Sequence, residues 1–139
     1  LCPDLVDFTG NHHFIPFCPE QLGGLPTPRP PSLIKGGDGR NLLEGRGAVI
    51  NDRGDDVSDA FKKGARESLK LAEMARARAA IMKDRSPSCG LLTPYCDTPS
   101  GAGIGVTAAL FESNGIKIIE LGSDYQFPAK EFLTLDKKE

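Results

Sequence analysis

Two cysteines of this chain sit in short runs rich in proline and glycine. One run is Cys18-Pro19-Glu20, continuing through Gly23, Gly24, Pro26 and Pro28 to Arg29; the other is Ser86-Pro87-Ser88-Cys89-Gly90. A thiol, a carboxyl two residues on, and paired hydroxyls are the groups of nucleophilic, acid–base or metal-binding chemistry. Each run follows an apolar, β-prone segment, residues 13–17 and 79–83. If both segments are parallel strands of one sheet, both cysteines stand at strand C-terminal ends, the edge where open α/β sheets bind ligands. That placement would bring the two sulfurs to one crevice. On pattern alone three readings stay open: buried thiols, a nucleophile, or metal ligation.

Glu20 lies two residues past Cys18, so in an extended segment both side chains project to the same side. Beside a thiolate or a metal cluster its pKa can rise into the range of a general acid or base; the plain alternative is a solvated glutamate. Ser86 and Ser88 flank Pro87 directly before Cys89. Their hydroxyls can orient a substrate or shuttle a proton, or simply bond local backbone. Arg29 suits a carboxylate or phosphate, or else solvent. His12 and His13 are adjacent, face opposite ways in a strand and read as structural. Gly101-Ala102-Gly103-Ile104-Gly105 has G-x-G-x-G spacing, which is neither a Walker motif nor the dinucleotide fingerprint. The helix behind it still offers N–H groups for an anion or the edge of a polar heterocycle. Cys96, in Tyr95-Cys96-Asp97, has no spacing argument.

The elements that must position these groups follow from periodicity. Val57, Phe61, Ala65, Leu69, Ala72 and Ala75 recur at roughly helical spacing with charges mostly outside the stripe, capped by Asp56 or Ser58. Gly64 lies near the apolar face and would allow close packing on a sheet. A strand at 79–83, a helix at 105–114 stopped by Gly115, and a strand at 116–120 make a βαβ crossover and hence a parallel sheet. The prolines at 26, 28, 30 and 31 predict an irregular arm, lid or loop to about residue 40. Residues 42–51 read as a β-hairpin arm with Gly45 and Gly47 at the turn. Residues 127–132 read as a short docking helix. The expected class is α/β, a small three-layer domain with a mainly parallel sheet, Rossmann-like, plus the Pro-rich arm and the hairpin.

A chain of 139 residues fits one domain with one core, and 39% apolar with 26% charged residues is the composition of a soluble globular protein. A net charge of −2 gives no electrostatic reason for nucleic-acid or membrane binding. No apolar run approaches the ~20 residues of a membrane span. The N-terminus lacks the pattern of a signal peptide, so a cytoplasmic location is the default. The four cysteines show neither a CxxC pair nor zinc-ribbon spacing. Leu1 stands where a methionine would be, and residues 4–8 read as the last turns of a helix stopped by Gly10. A strand and loop are expected upstream.

The runs Phe17-Cys18-Pro19-Glu20 through Arg29 and Ser86-Pro87-Ser88-Cys89-Gly90 resemble the thiouracil desulfurase family, long grouped as a microbial domain of unknown function. So does Gly105-Val106-Thr107-Ala108-Ala109-Leu110 followed by Asn114-Gly115-Ile116. The likeness covers about residues 13 to 120, and its first two motifs are specific. It implies an α/β domain holding a 4Fe–4S cluster on three cysteines, with the fourth iron open to take sulfur from a thiolated nucleobase. Cys18 and Cys89 inherit the role of ligands, Glu20 and Ser86 that of catalytic groups. The family's remaining ligand lies in a cysteine loop after a first strand, and neither Cys2 nor Cys96 matches it. The expectation is therefore a single desulfurase-like domain over 1–139 whose N-terminal strand and third ligand lie upstream of Leu1. The implied reaction replaces C=S by C=O without redox chemistry. The competing function is a nucleobase- or nucleoside-binding module without a cluster, its ligand held by the loop at 101–105.

Overall fold

The computed structural model describes residues 12–122. Their elements run α1 (Pro19–Leu22), β1 (Ser32–Lys35), α2 (Gly39–Leu43), β2 (Ala48–Asn51), α3 (Ser58–Met74), β3 (Ala79–Lys83), α4 (Val106–Ser113) and β4 (Lys117–Leu121). The expected segments at 4–8 and 127–132 lie outside the described residues.

Helix α3 forms where the apolar stripe predicts it and buries Phe61, Gly64, Ala65, Ser68 and Ala72 along one face. Its first turn is held by Asp56, whose carboxylate accepts the Ser58 N–H at 2.9 Å, while the Ser58 hydroxyl accepts the Val49 N–H at 2.8 Å. The helix ends without a glycine: Arg76 takes the left-handed conformation, φ 54°, and the chain turns into β3. Helix α4 buries Val106, Thr107, Ala108, Ala109 and Phe111, nearly all of its circumference, so it runs through the interior. Gly115, at φ 78°, turns the chain after it. Strand β4 then pairs parallel to β3, from Ala79 opposite Lys117 to Lys83 opposite Leu121. This is the expected βαβ crossover.

The mixed α/β class is as expected, but the sheet is smaller. Among the described residues there is one parallel pair, β3 with β4, and one antiparallel pair, β1 with β2. Residues 13–17 run irregularly and join no ladder. Pro16 can donate no ladder hydrogen bond, and the segment is held instead by Phe17, whose ring stacks on Phe111 at 5.9 Å. The irregular arm ends sooner than predicted, because its last proline is Pro31 and β1 begins at the next residue. The hairpin over 42–51 is also corrected. Strand β2 is there, but its partner is β1, with Ser32 opposite Asn51, and Leu42 lies buried in α2 within the connection.

Two apolar clusters form the core. Met82, Cys89, Ile104, Ala108 and Phe111 pack between the parallel pair and α4, with Phe17 against them. Ile34, Leu42, Val49, Phe61 and Val106 join β1 and β2 to α2, α3 and α4. Helix α4 belongs to both clusters, and its N-terminus lies behind the loop that carries Cys89.

Candidate active site

Cys18 is the residue before α1, with extended backbone at φ −134° and ψ 108°, and Pro19 supplies the fixed φ suited to the first helical position. One turn of helix then points the Glu20 side chain inward, and the residue is only 7% exposed. The close seating of α1 on α3 depends on two glycines. A Cβ on Gly64 would strike the Pro19 carbonyl oxygen, and one on Gly23 would strike the Ala60 carbonyl oxygen. Gly64 thus permits close packing on a helix, not on a sheet as the sequence suggested.

The second cysteine loop is built around Ser86. Its Oγ accepts the backbone N–H of Ser88 at 3.1 Å and of Cys89 at 3.0 Å. Thr93, fully buried, donates from Oγ1 to the Ser86 carbonyl at 2.5 Å, and the buried Ser88 hydroxyl pairs with Thr107 Oγ1 at 2.7 Å. The loop carbonyls in turn accept from α4: Val106 N–H to Pro87 at 2.9 Å and Ala108 N–H to Ser88 at 3.0 Å. Gly105 N–H binds the Gly90 carbonyl at 2.7 Å. The start of α4 therefore holds protein carbonyls, so these donors are not left for a ligand as the reading of residues 101–105 had it. The helix dipole presents its positive end to the Cys89 loop.

The two loops meet. Ser86 Oγ lies 3.4 Å from Glu20 Oε1, a long contact, and the Cys18 thiol lies 3.4 Å from Glu20 Oε2. Arg29 Nη2 donates to Glu20 Oε2 at 3.2 Å and approaches Cys18 Sγ at 3.6 Å. Cys89 feels the same neighbours. Burial, then the Glu20 charge and more weakly Cys18, push its thiol up to about 12, while hydrogen bonds from Ser86 and Ser88 pull the other way. Cys89 is thus a protonated thiol at neutral pH, poor as a free nucleophile. A soft metal that displaces its proton would make it a ligand.

Cys18, Glu20, Ser86 and Cys89, singled out from the sequence, therefore gather in one place. Sequence reasoning favoured solvent over an anion for Arg29; here it is part of the constellation. The signal for it was the spacing of prolines at 26, 28, 30 and 31, which fixes the backbone from which it projects. Cys96 is buried in the second cluster, where desolvation and then the Asp38 charge push its thiol up to about 11. Among the described residues no group of three or more His, Cys, Asp or Glu is placed to hold a metal ion.

A cleft of about 1960 Å³ opens beside this constellation, with Cys18, Glu20, Arg29, Ser86 and Cys89 in its wall. The segment 13–17 and strand β3 also border it. A drug-sized ligand occupies roughly 300–1,000 Å³, so the space exceeds the needs of a single base.

Comparison with known proteins identifies the family. A family model described as 2-thiouracil desulfurase matches residues 3–121. The protein YbbK of Bacillus subtilis strain 168 is 43% identical over 105 residues, which cover 73% of this chain and 70% of that protein. A solved structure described as the [4Fe-4S]-dependent thiouracil desulfidase TudS superposes with a TM-score of 0.72 at 32% identity, covering 96% of this chain and 80% of its own. Because the family model spans most of the chain and includes both cysteine loops, the chain belongs to the 2-thiouracil desulfurase family.

Proposed function

We propose that this protein is a thiouracil desulfurase that removes sulfur from a thiolated nucleobase, with water supplying the oxygen of the new carbonyl. The observation that carries the reading is the meeting of two soft thiols with a buried carboxylate and a serine in the wall of one cleft. Thiols set in loops with nearby main-chain N–H groups suit an iron–sulfur cluster better than a hard cation. Cys18 and Cys89 would hold it, and when bound it supplies Lewis acidity and a soft site for sulfur.

The chain's own groups do the rest. Glu20 stands within reach of Ser86 and the cleft, where it accepts a proton from water adding to the thiocarbonyl carbon and returns it to the departing sulfur. In balance, water and C=S become C=O and hydrogen sulfide, with no net redox change. Ser86 carries two tasks: its oxygen accepts the N–H groups of Ser88 and Cys89, and its proton points to Glu20. The alternative of a nucleobase-binding module is disfavoured, because the N–H groups of Gly101, Gly103 and Gly105 in its ligand loop are spent on the carbonyls of Thr98, Thr93 and Gly90.

The third thiolate belongs to this proposal. Only β4 pairs with β3 among the described residues, and the cleft runs along residues 79–83. A third thiolate at that edge would complete three-cysteine ligation.

Anaerobic reconstitution of the full-length protein with iron and sulfide tests the reading. The expected product is brown, with visible charge-transfer absorbance, and releases sulfide from 2-thiouracil. Glu20→Gln and Ser86→Ala should each lower turnover at least about tenfold with the fold intact. A colourless product without turnover rejects the reading, and normal turnover in both variants leaves Glu20 and Ser86 with a structural role alone.

A further inference from the structure

We propose that Arg29 is a positioning residue, clamping the Glu20 carboxylate and the Cys18 sulfur in one geometry; this rests on the function proposed above. One guanidinium nitrogen, Nη2, serves both groups, at 3.2 Å from Glu20 Oε2 and 3.6 Å from Cys18 Sγ. The other, Nη1, is anchored to the Pro26 carbonyl at 3.4 Å and to Thr27 Oγ1 at 3.3 Å. Thr27 is itself tied to α1, because Gln21 Nε2 donates to its Oγ1 at 2.6 Å. The arm from 26 to 31 is therefore a brace against the helix that carries the active carboxylate, not a lid over it.

An ordinary surface ion pair contributes little and positions nothing. This one differs in burial, with the Glu20 side chain 9% exposed and Arg29 28%. It differs also in having four acceptors around one planar fork. Only a guanidinium can bind the arm through one nitrogen and the site through the other; a lysine ammonium is a single point of charge on a loose stem. Two effects follow. Glu20 Oε2 is held, leaving Oε1 directed at Ser86. An N–H donor and a positive charge beside a ligand sulfur also raise the reduction potential of a cluster held there. Desulfuration uses no electrons from that cluster, so its potential is an independent report on the contact.

The experiment uses full-length, reconstituted protein and the variants Arg29→Gln, Arg29→Lys and Glu20→Gln. Iron content and thermal melting are read first, then the potential by EPR-monitored titration, then kcat and KM for 2-thiouracil. Arg29→Gln should lower the potential and reduce kcat at least about tenfold with KM little changed, since a misplaced group slows the reaction without weakening binding. Arg29→Lys should restore most of the potential but not kcat. Glu20→Gln, which removes a negative charge, should raise the potential. An unchanged potential or kcat in Arg29→Gln overturns the proposal, as does a loss confined to KM, which would make Arg29 a substrate-binding group. If Arg29→Gln does not fold, a wild-type kcat in Arg29→Lys overturns it by itself. A wild type that takes up no iron rejects the proposed function instead, and is recognised before any variant is compared.

Discussion

A buried carboxylate is costly unless other groups hold it, and at Glu20 the holders are the residues with which it is proposed to work. Arg29, Cys18 and Ser86 all contact its two oxygens. The three described cysteines divide on the same physical ground. Cys18 and Cys89 stand at the cleft beside one carboxylate, whereas Cys96 is sealed among Ile34, Val49 and Phe61. Cys18→Ser or Cys89→Ser should lose most of the bound iron, because a serine oxygen is a harder donor than a thiolate. Cys96→Ser should keep both iron and turnover, paying only in melting temperature. Iron loss from Cys96→Ser alone would move the metal site.

At the level of elements, the site depends on two close backbone approaches. In an open helix, replacing glycine by alanine stabilises by about 1 kcal/mol. At Gly64 the sign should reverse, since the new methyl meets the Pro19 carbonyl and a backbone group cannot rotate aside. Overpacking of this kind costs about 1–3 kcal/mol, so Gly64→Ala should lower stability in urea titrations. It should also weaken iron retention, because α1 carries Cys18 and Glu20. Gly105→Ala acts on the other loop: its Cβ would stand 2.6 Å from the Ser88 carbonyl and 2.9 Å from Cys89 N. Iron loading should fall there with secondary structure intact, as read by circular dichroism. The start of α3 provides a pH test. The Ser58 hydroxyl, with help from its backbone N–H, holds the Asp56 carboxyl below its ordinary range. A depressed folded pKa means that the stabilisation is present above the ordinary carboxylate range and is lost as pH falls through the folded value. Asp56→Ala should therefore be less stable than wild type at neutral pH, and the difference should vanish in strong acid. A difference that persists there would assign it to packing.

For the molecule as a whole, the parallel pair β3–β4 and the cleft beside it set the problem. The cleft is wider than a thiolated base needs, and its wall includes strand β3. On the proposed reading a third thiolate stands on that side. Iron quantification on Cys2→Ser and Cys96→Ser shows whether either supplies it, and the expectation is that neither does. Among the described residues no helix is long and apolar enough to cross a membrane.

Local chemistry was legible in the sequence because it depends on nearest neighbours. The stripe from Phe61 to Ala72 gave α3, the run at 79–83 gave β3, Gly115 gave the end of α4, and the two cysteine runs gave the site. The pairings were less legible. Whether 13–17 or 32–35 becomes a strand depends on which partner edge is nearby, and the apolar pattern favoured the wrong one. The role of Gly101–Gly105 turned on whether its N–H groups faced solvent or protein, which a G-x-G-x-G spacing cannot state. Only the tertiary structure placed Arg29, because its acceptors come from residues 18, 20, 26 and 27, drawn together by the turn after α1 and the brace of the arm. Residue types and spacing thus determined which groups could react. Long-range packing, through Gly64 against Pro19 and Gly105 against Ser88, decided which of them meet.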